Sequence, residues 1–398
     1  MVKRVTYIIG AGASHGYDNR LVDSQKPPTG NRLLSMAAEK GILIQEKYPH
    51  LYPALKYYCT ENRKDSEKFS DVDIEEFLDS LATYLESVNK EISAGFPTPT
   101  SEETEKVISA MRTDFLGFWE IVNRQHETIE DPFEKLRKVA YNFQCALGES
   151  WYMMFELFRD FSASYRPTCD AYQRLALHHM RNHYDVISLN YDLIFELAAE
   201  SVGLWVQYPW TSPVVSTLTS DRIITMAKVH GSINWLNKVS RAISVGDRGD
   251  SSYKLLDRIS GLIYSNRFNV EHLKFVNPSI IGNIGMDNLL QSGTEYYEPA
   301  LLPPVGNYKD YDKVTYFVEN WKVAERMISQ ADELIFIGTQ VRPHDKKLRE
   351  TLKANSKKRI DVVVVGSKPS DDELANIFGS NLGQISRHKD FETFAQTL

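Results

Sequence analysis

The sequence predicts an α/β fold in which an open parallel sheet carries a large helical insertion. Five runs are rich in β-branched residues, and most of them are continuously apolar, as buried parallel strands are. All but the third end in a small or polar residue followed by a predicted helix. This arrangement is typical of a Rossmann-like sheet with ligand-binding loops at the carboxyl ends of its strands. The runs are residues 5–9, 185–189, 223–229, 333–337 and 361–365.

The long stretch between the first two runs has the pattern of helices. Asp73 can cap a helix with Glu76 three residues later, and Thr100 with Glu103 repeats this start signal. An aromatic-rich helix is predicted over residues 149–161. We therefore predict an insertion of about five or six helices. The predicted division assigns residues 31–180 to the insertion and residues 1–30 with 181–398 to a discontinuous sheet domain.

Composition limits the classes of function. The chain has 398 residues, of which 42% are hydrophobic and 25% charged, so it can bury a large core. A net charge of -7 argues against direct nucleic-acid binding. Three cysteines are too few for a disulfide framework or paired zinc ligands, which suits a reduced cytoplasm. The apolar stretches are too short for a signal peptide or a membrane span, so a soluble, cytoplasmic protein is expected.

The loop after the first strand predicts a phosphate-binding turn. Glycines there let the backbone approach a diphosphate, whose charge is favoured by the helix N-terminus that follows. A dehydrogenase fingerprint would need a third glycine where His15 stands, which weakens that interpretation. A simple tight turn between strand and helix stays an alternative. The loop consists of Gly10, Ala11, Gly12, Ala13 and Ser14.

Polar residues follow the second and third strands. Asn190 and Asp192 stand where the crevice of such a sheet opens, and they can hold sugar hydroxyls or a carboxamide. The alternative is that Asn190 caps a helix beginning near Tyr191. His230 ends the third strand beside Gly231, and it can accept a proton near neutral pH. A purely structural histidine is the alternative there.

The fourth and fifth strands also end in small and hydroxylated residues. Gly338 and Thr339 follow the fourth, and Gly366 and Ser367 follow the fifth. All four are candidates for contacts with an adenosine ribose or with phosphates. Turn formation alone would also explain glycines at these positions.

In combination and in this order, these segments resemble the elements of sirtuins. Sirtuins carry a Gly-Ala-Gly-x-Ser loop, a Gln-Asn-x-Asp segment, a His-Gly pair and a Gly-Thr-Ser loop. Here Leu189 replaces the glutamine and Gln340 replaces the last serine. The closer resemblance is to the sirtuin-like NAD hydrolases of bacterial anti-phage defence. It is strongest in Asn190-Tyr191-Asp192 and in the segment from His230 to Trp235, and it covers about residues 1–30 and 181–366.

The resemblance implies that the chain binds NAD+ as a substrate and hydrolyses its nicotinamide–ribose bond. Asn190 and His230 would be catalytic, the glycine loop would hold the diphosphate, and Asp192 would position Asn190 or the carboxamide. No metal is expected, because the leaving group is already a cationic pyridinium. Deacylating sirtuins carry a zinc ribbon where this chain has no cysteine, between Trp235 and Pro299. A deacylase or ADP-ribosyl transferase, and an NAD or ADP-ribose sensor, stay as alternatives.

The family also implies regulation and partners. Free NAD+ hydrolysis would kill the host, so a switch is expected. Members assemble into oligomers or work with a HerA-like ATPase or a short Argonaute. We therefore expect a homo-oligomer, with such a separate protein as a possible partner.

Overall fold

The computed structural model describes residues 3–93, 132–211, 219–240, 273–285, 295–301, 315–343, 345–356 and 358–398. Elements are numbered here in chain order within these ranges. The strands are β1 (Val5–Ile9), β2 (Asp185–Ser188), β3 (Trp205–Gln207), β4 (Ile223–Lys228), β5 (Gly231–Ser240), β6 (Leu273–Phe275), β7 (Glu295–Leu301), β8 (Glu333–Ile337), β9 (Ile360–Val365) and β10 (Leu382–His388).

Short 3-10 turns and the following helices connect the strands of the described ranges. The helices are α1 (Ala11–His15), α2 (Leu33–Glu39), α3 (Leu51–Glu61), α4 (Ile74–Ser93), α5 (Pro132–Ser164), α6 (Ala171–Asn182), α7 (Ile194–Ser201), α8 (Thr315–Gln330), α9 (Lys346–Asn355), α10 (Asp371–Phe378) and α11 (Phe391–Ala395). Not one of the helices in the described ranges is both long and apolar enough to cross a membrane.

The larger sheet of the described residues has seven strands in the order β10-β9-β8-β1-β2-β4-β3. All neighbouring strands within this sheet pair in parallel. The chain leaves β1 toward β2 on one side and later returns to β8 on the other. Such a switch point opens a crevice at the carboxyl ends of the central strands. The predicted α/β fold with an open parallel sheet is therefore confirmed.

Each of the five predicted strands is present, with bounds that differ by at most one residue. Their apolar runs are buried, as Ile8 and Val364 illustrate. Two further parallel strands escaped prediction because β3 has only three residues and β10 is a largely exposed edge strand. The third predicted strand, β4, leads not into a helix but into a three-stranded antiparallel sheet with the order β6-β5-β7.

Two hydrophobic cores organise the described residues. The first surrounds the parallel sheet, and the second joins α2–α5 to the antiparallel sheet through Ile233, Leu236 and Leu301. Helix α6 packs in the first core through Tyr172 and Leu175. Most of α6 lies within residues 31–180, which the sequence assigns to the insertion, although its packing is against the parallel sheet. The reason is that a helix covering a sheet and a helix of a bundle have the same amphipathic pattern.

The predicted insertion is helical where it is described. Asp73 Oδ1 accepts hydrogen bonds from the backbone N–H groups of Glu75 and Glu76, at 2.9 and 3.4 Å, and thereby caps α4. The helix predicted over residues 149–161 is part of α5. The start signal at Thr100 and Glu103 lies outside the described residues.

Candidate active site

A cavity of about 400 Å³ lies at the carboxyl ends of β1, β2, β4, β8 and β9. This volume is within the range of about 300–1,000 Å³ that is usual for small-molecule and cofactor sites. The insertion contributes Leu33, Ile74, Glu75 and Phe158 to its lining. Ten of the residues singled out from the sequence line the cavity, namely Gly10, Ala11, Gly12, Asn190, Asp192, His230, Gly338, Thr339, Gly366 and Ser367.

One part of the cavity lining, which we call the packed wall, is formed by two loops, residues 10–14 and 337–339, of which Gly10, Ala11, Gly12, Gly338 and Thr339 line the cavity. The Gly10 N–H donates to Ile337 O at 3.0 Å, and the Gly12 N–H donates to Gly338 O at 2.9 Å. The Thr339 hydroxyl donates to Ile8 O at 2.9 Å. These polar groups of the packed wall are thus satisfied by one another, and the two loops form a single rigid unit.

Gly338 shows why the two loops need glycine. Its φ is +55°, a left-handed conformation that side chains disfavour. A Cβ placed there would overlap backbone atoms of Gly12 and Ala13. Glycine is therefore required at this position by the close packing of the loops. The structure accounts for Gly338 without a ligand, so its presence alone says nothing about a cofactor.

Ala13 and Ser14 lie beneath the cavity rather than on its surface, since both are fully buried and neither lines it. The Ser14 hydroxyl is 3.0 Å from the Tyr172 hydroxyl and donates to Asp192 Oδ1 at 3.1 Å. It also accepts a hydrogen bond from Asn190 Nδ2 at 2.9 Å. Ser14 therefore connects β1 with the loop after β2.

Asn190 is held by its amide nitrogen. Nδ2 donates to Ser14 Oγ and to Gly10 O, the latter at 3.1 Å, whereas Oδ1 is buried and has no hydrogen-bond partner among the described residues. Asn190 does not cap a helix: α7 begins at Ile194, and Asp192 Oδ1 accepts from the Ile194 N–H at 3.0 Å. The carbonyl oxygen of Asn190 is thus the group left for a ligand.

A buried ionic network supports this arrangement from below. Lys228 Nζ, which is fully buried, donates to Asp192 O at 2.6 Å and to Glu196 Oε1 at 2.7 Å. Burial raises the pKa of the Asp192 carboxyl, while the Lys228 ammonium opposes part of that rise in pKa. Asp192 lines the cavity, but its Oδ1 accepts hydrogen bonds from the Ser14 hydroxyl and from the Ile194 N–H. Its position fits a role in holding Asn190.

His230 stands at the end of β4 and faces the cavity from the other side. It is 4% exposed, and its Nε2 lies 3.2 Å from Asp345 Oδ2. The two atoms are close but are not aligned for an ideal hydrogen bond. The structure thus brings Asn190 and His230, which α7, β3 and β4 separate in sequence, into one cavity.

Two lining residues were missed at the sequence level. Asp345 follows Gly338 in the same loop, but nothing local pairs it with His230. Tyr191 stands between the two predicted polar residues, and its buried hydroxyl has no hydrogen-bond partner among the described residues. Burial raises the Tyr191 pKa well above its usual value. The phenol is therefore a neutral donor at physiological pH.

The insertion is tied to the cavity through Arg342. One guanidinium nitrogen lies 2.7 Å from Asp73 Oδ2 and 2.9 Å from Glu75 Oε2, at the start of α4. Arg342 and Glu75 both line the cavity. The loop after β8 therefore connects the packed wall to the insertion. Within the described ranges, no group of three or more His, Cys, Asp or Glu side chains could hold a metal ion.

Comparison with known proteins gives matches among solved structures only. No protein-family model matches the sequence, and no curated protein does. A Sir2 homologue in complex with NAD is 11% identical, with a TM-score of 0.34 over 63% of this chain and 72% of that chain. A mutant Sir2 homologue with ADP-ribose is 12% identical, with a TM-score of 0.35 over 63% and 74%. A Sir2 complex with a p53 peptide and NAD+ is 15% identical, with a TM-score of 0.33 over 63% and 78%.

Proposed function

We propose that the protein is an NAD+ hydrolase that releases nicotinamide and ADP-ribose. One observation carries the proposal: Asn190 and His230 line the same cavity, where the glycine loops after β1 and β8 also meet. The motifs containing these residues are the ones that resemble sirtuin-like NAD hydrolases. Their order along the chain suggested a shared site, and their position in one cavity supports it.

The fit to a nucleotide rests on unsatisfied polar atoms. Asn190 Oδ1 and the Tyr191 hydroxyl are buried at the cavity without partners among the described residues. Buried polar groups normally find partners, so an acceptor and a donor left open together indicate a ligand with hydroxyl and carbonyl groups. A ribose hydroxyl could donate to Asn190 Oδ1, and a carboxamide or phosphate oxygen could accept from the Tyr191 hydroxyl. We propose that Gly366 and Ser367, which also line the cavity, contact the adenosine half.

The proposed reaction gives each of these residues a role. The bond between ribose carbon and pyridinium nitrogen breaks, its electron pair stays on nitrogen, and nicotinamide leaves as a neutral molecule. A water oxygen bonds to the ribose carbon, and one proton is released. Asn190 orients the ribose and the water, and His230 accepts the proton from a ribose hydroxyl or from water. Asp192 and Ser14 hold Asn190 in place.

The biological role is part of the same proposal. Depletion of NAD+ in an infected cell would stop phage growth by abortive infection, and this role follows from the family resemblance. An enzyme of this kind needs a switch, which we propose to be self-assembly or a separate protein such as a HerA-like ATPase or short Argonaute. The tie between Arg342 and α4 offers a route from the insertion to the cavity.

The test is to incubate the protein with NAD+ and to quantify nicotinamide and ADP-ribose. Asn190→Ala and His230→Ala should each lower nicotinamide release by about 10²- to 10⁴-fold, because positioning and proton transfer are lost. The matched control is His179→Ala, since His179 is also 4% exposed but does not line the cavity. Release that persists in both site variants would refute the site. NAD+ binding without any turnover, alone or with co-purified partners, would favour the sensor.

A further inference from the structure

Asp345 contacts two different groups with its two carboxylate oxygens. Oδ1 accepts a hydrogen bond from the backbone N–H of Leu348 at 3.2 Å and so caps α9. Oδ2 lies 3.2 Å from His230 Nε2. Asp345 is only 3% exposed. A buried carboxylate of this kind is well placed to fix the orientation of both partners.

The contact bears on which imidazole nitrogen carries the proton. A neutral imidazole has one N–H and one lone pair, and a hydrogen-bond acceptor beside one nitrogen favours the proton there. A carboxylate oxygen beside Nε2 can only accept, so this contact favours the proton on Nε2. Nδ1 then keeps the lone pair, and it is the nitrogen left to take a proton from a group in the cavity.

We propose that Asp345 is a positioning residue that holds His230 in the Nε2–H tautomer, with Nδ1 as the base. The proposal rests on the proposed function, because it concerns the proton that His230 accepts during NAD+ cleavage. Asp345 lies in the same loop as Thr339 and Arg342. The loop that packs against β1 and contacts the insertion would thus also set the chemistry of His230.

A merely structural role predicts a different outcome, and Asp345→Asn separates the two. Asn is as good a helix cap as Asp, so the introduced amide oxygen can still accept from Leu348. The amide NH₂ then takes the place of Oδ2 and donates toward His230 Nε2. Donation to Nε2 requires a lone pair there and moves the imidazole proton to Nδ1. The substitution therefore keeps the cap and reverses the tautomer.

The first readout is steady-state NAD+ cleavage. Asp345→Asn should lower kcat by about 10²- to 10⁴-fold, as is usual when a histidine base is held in the wrong tautomer, with KM changed much less. Its melting temperature should stay close to that of the wild type. Asp345→Ala should lower both kcat and the melting temperature, because the cap is lost as well. Wild-type kcat in Asp345→Asn, with a loss of stability only in Asp345→Ala, would reduce Asp345 to a cap and overturn the proposal.

The second readout does not need turnover. Proteins labelled with ¹⁵N-histidine are compared by NMR at alkaline pH, where neutral imidazole tautomers have distinct nitrogen shifts. The His230 signal is identified by its absence in His230→Gln. We expect Nε2–H in the wild type and Nδ1–H in Asp345→Asn. An unchanged tautomer overturns the assignment of Asp345. If the wild type releases no nicotinamide but the tautomer reverses, the proposed function fails while the coupling of Asp345 to His230 stands.

Discussion

The two sides of the cavity differ in how their polar groups are satisfied. In the packed wall, the N–H groups of Gly10 and Gly12 and the Thr339 hydroxyl all bond to the protein itself. A second group of lining residues, which we call the polar wall, consists of Asn190, Tyr191 and His230. Asn190 Oδ1 and the Tyr191 hydroxyl have no partners there among the described residues.

The comparison shows that a sequence motif can be explained either by the packing of the fold or by the binding of a ligand. The glycines of the packed wall are explained by the close contact between two loops, so they report on the shape of the fold. The open polar atoms of the polar wall cost free energy when buried and unpaired, of the order of 1–3 kcal/mol each, and a bound ligand would remove that cost. The polar wall has the less conspicuous sequence, but its unpaired polar atoms are the feature of the cavity that indicates a ligand.

The strongest test of the packed wall is Gly338→Ala. We expect the free energy of unfolding to fall by about 3 kcal/mol or more. An added Cβ would strain the left-handed backbone at Gly338 and would also overlap backbone atoms of Gly12 and Ala13. The control is Gly41→Ala, where φ is +66° and a Cβ would meet nothing within 4 Å. The free energy of unfolding of the Gly41→Ala variant should fall by only about 1 kcal/mol. Thermal unfolding of both variants measures this difference in stability. Equal shifts in melting temperature would mean that the two loops can separate.

The connection between the walls is tested by Ser14→Ala. Asn190 Nδ2 would keep only its bond to Gly10 O, so the amide would lose its fixed orientation. We expect kcat to fall about 10-fold, which corresponds to one hydrogen bond of ordinary strength. Ser150→Ala also removes a fully buried hydroxyl, one that bonds Leu147 O within α5 away from the cavity. An equal loss of kcat in both variants would show a general effect of destabilisation.

A third prediction concerns the contact between the loop after β8 and the insertion. A double-mutant cycle of Arg342→Gln and Asp73→Asn measures this contact, and asparagine preserves the cap of α4. We expect a coupling energy of about 1–2 kcal/mol, because the pair is mostly buried. The more exposed pair Lys3–Glu333 serves as the reference, and its double-mutant cycle should give a coupling energy of about 0.5 kcal/mol. A coupling no larger than in the reference pair would mean that the insertion is not held to the cavity by this contact.

Much of the fold followed from local pattern. Buried parallel strands such as β1 and β9 are continuous apolar runs, and Asp73 carried a capping signal that the structure confirms. The edge strand β10 and the antiparallel strand β5 escaped prediction. Their residues are arranged by neighbouring strands rather than by a strong pattern of their own. The place of α6 in the sheet core likewise depends on tertiary contacts.

The site was predictable only in part. Asn190 and His230 stood out because polar residues at the ends of apolar strands converge at one edge of a parallel sheet. Asp345 did not stand out, since its pairing with His230 depends on how the loop after β8 turns. The role of Ser14 beneath the cavity was also hidden, because burial behind a glycine loop leaves no mark in the sequence.

The position of β1 in the sheet has a consequence for synthesis. Its two neighbours are β2 and β8, whose residues Asp185 and Glu333 pair with Thr6 and Val5. The second edge of β1 is therefore covered only after β8 has been synthesised. Contacts so distant in sequence make folding slow. The contact between His230 and Asp345 likewise forms late, because Asp345 follows β8 in the chain.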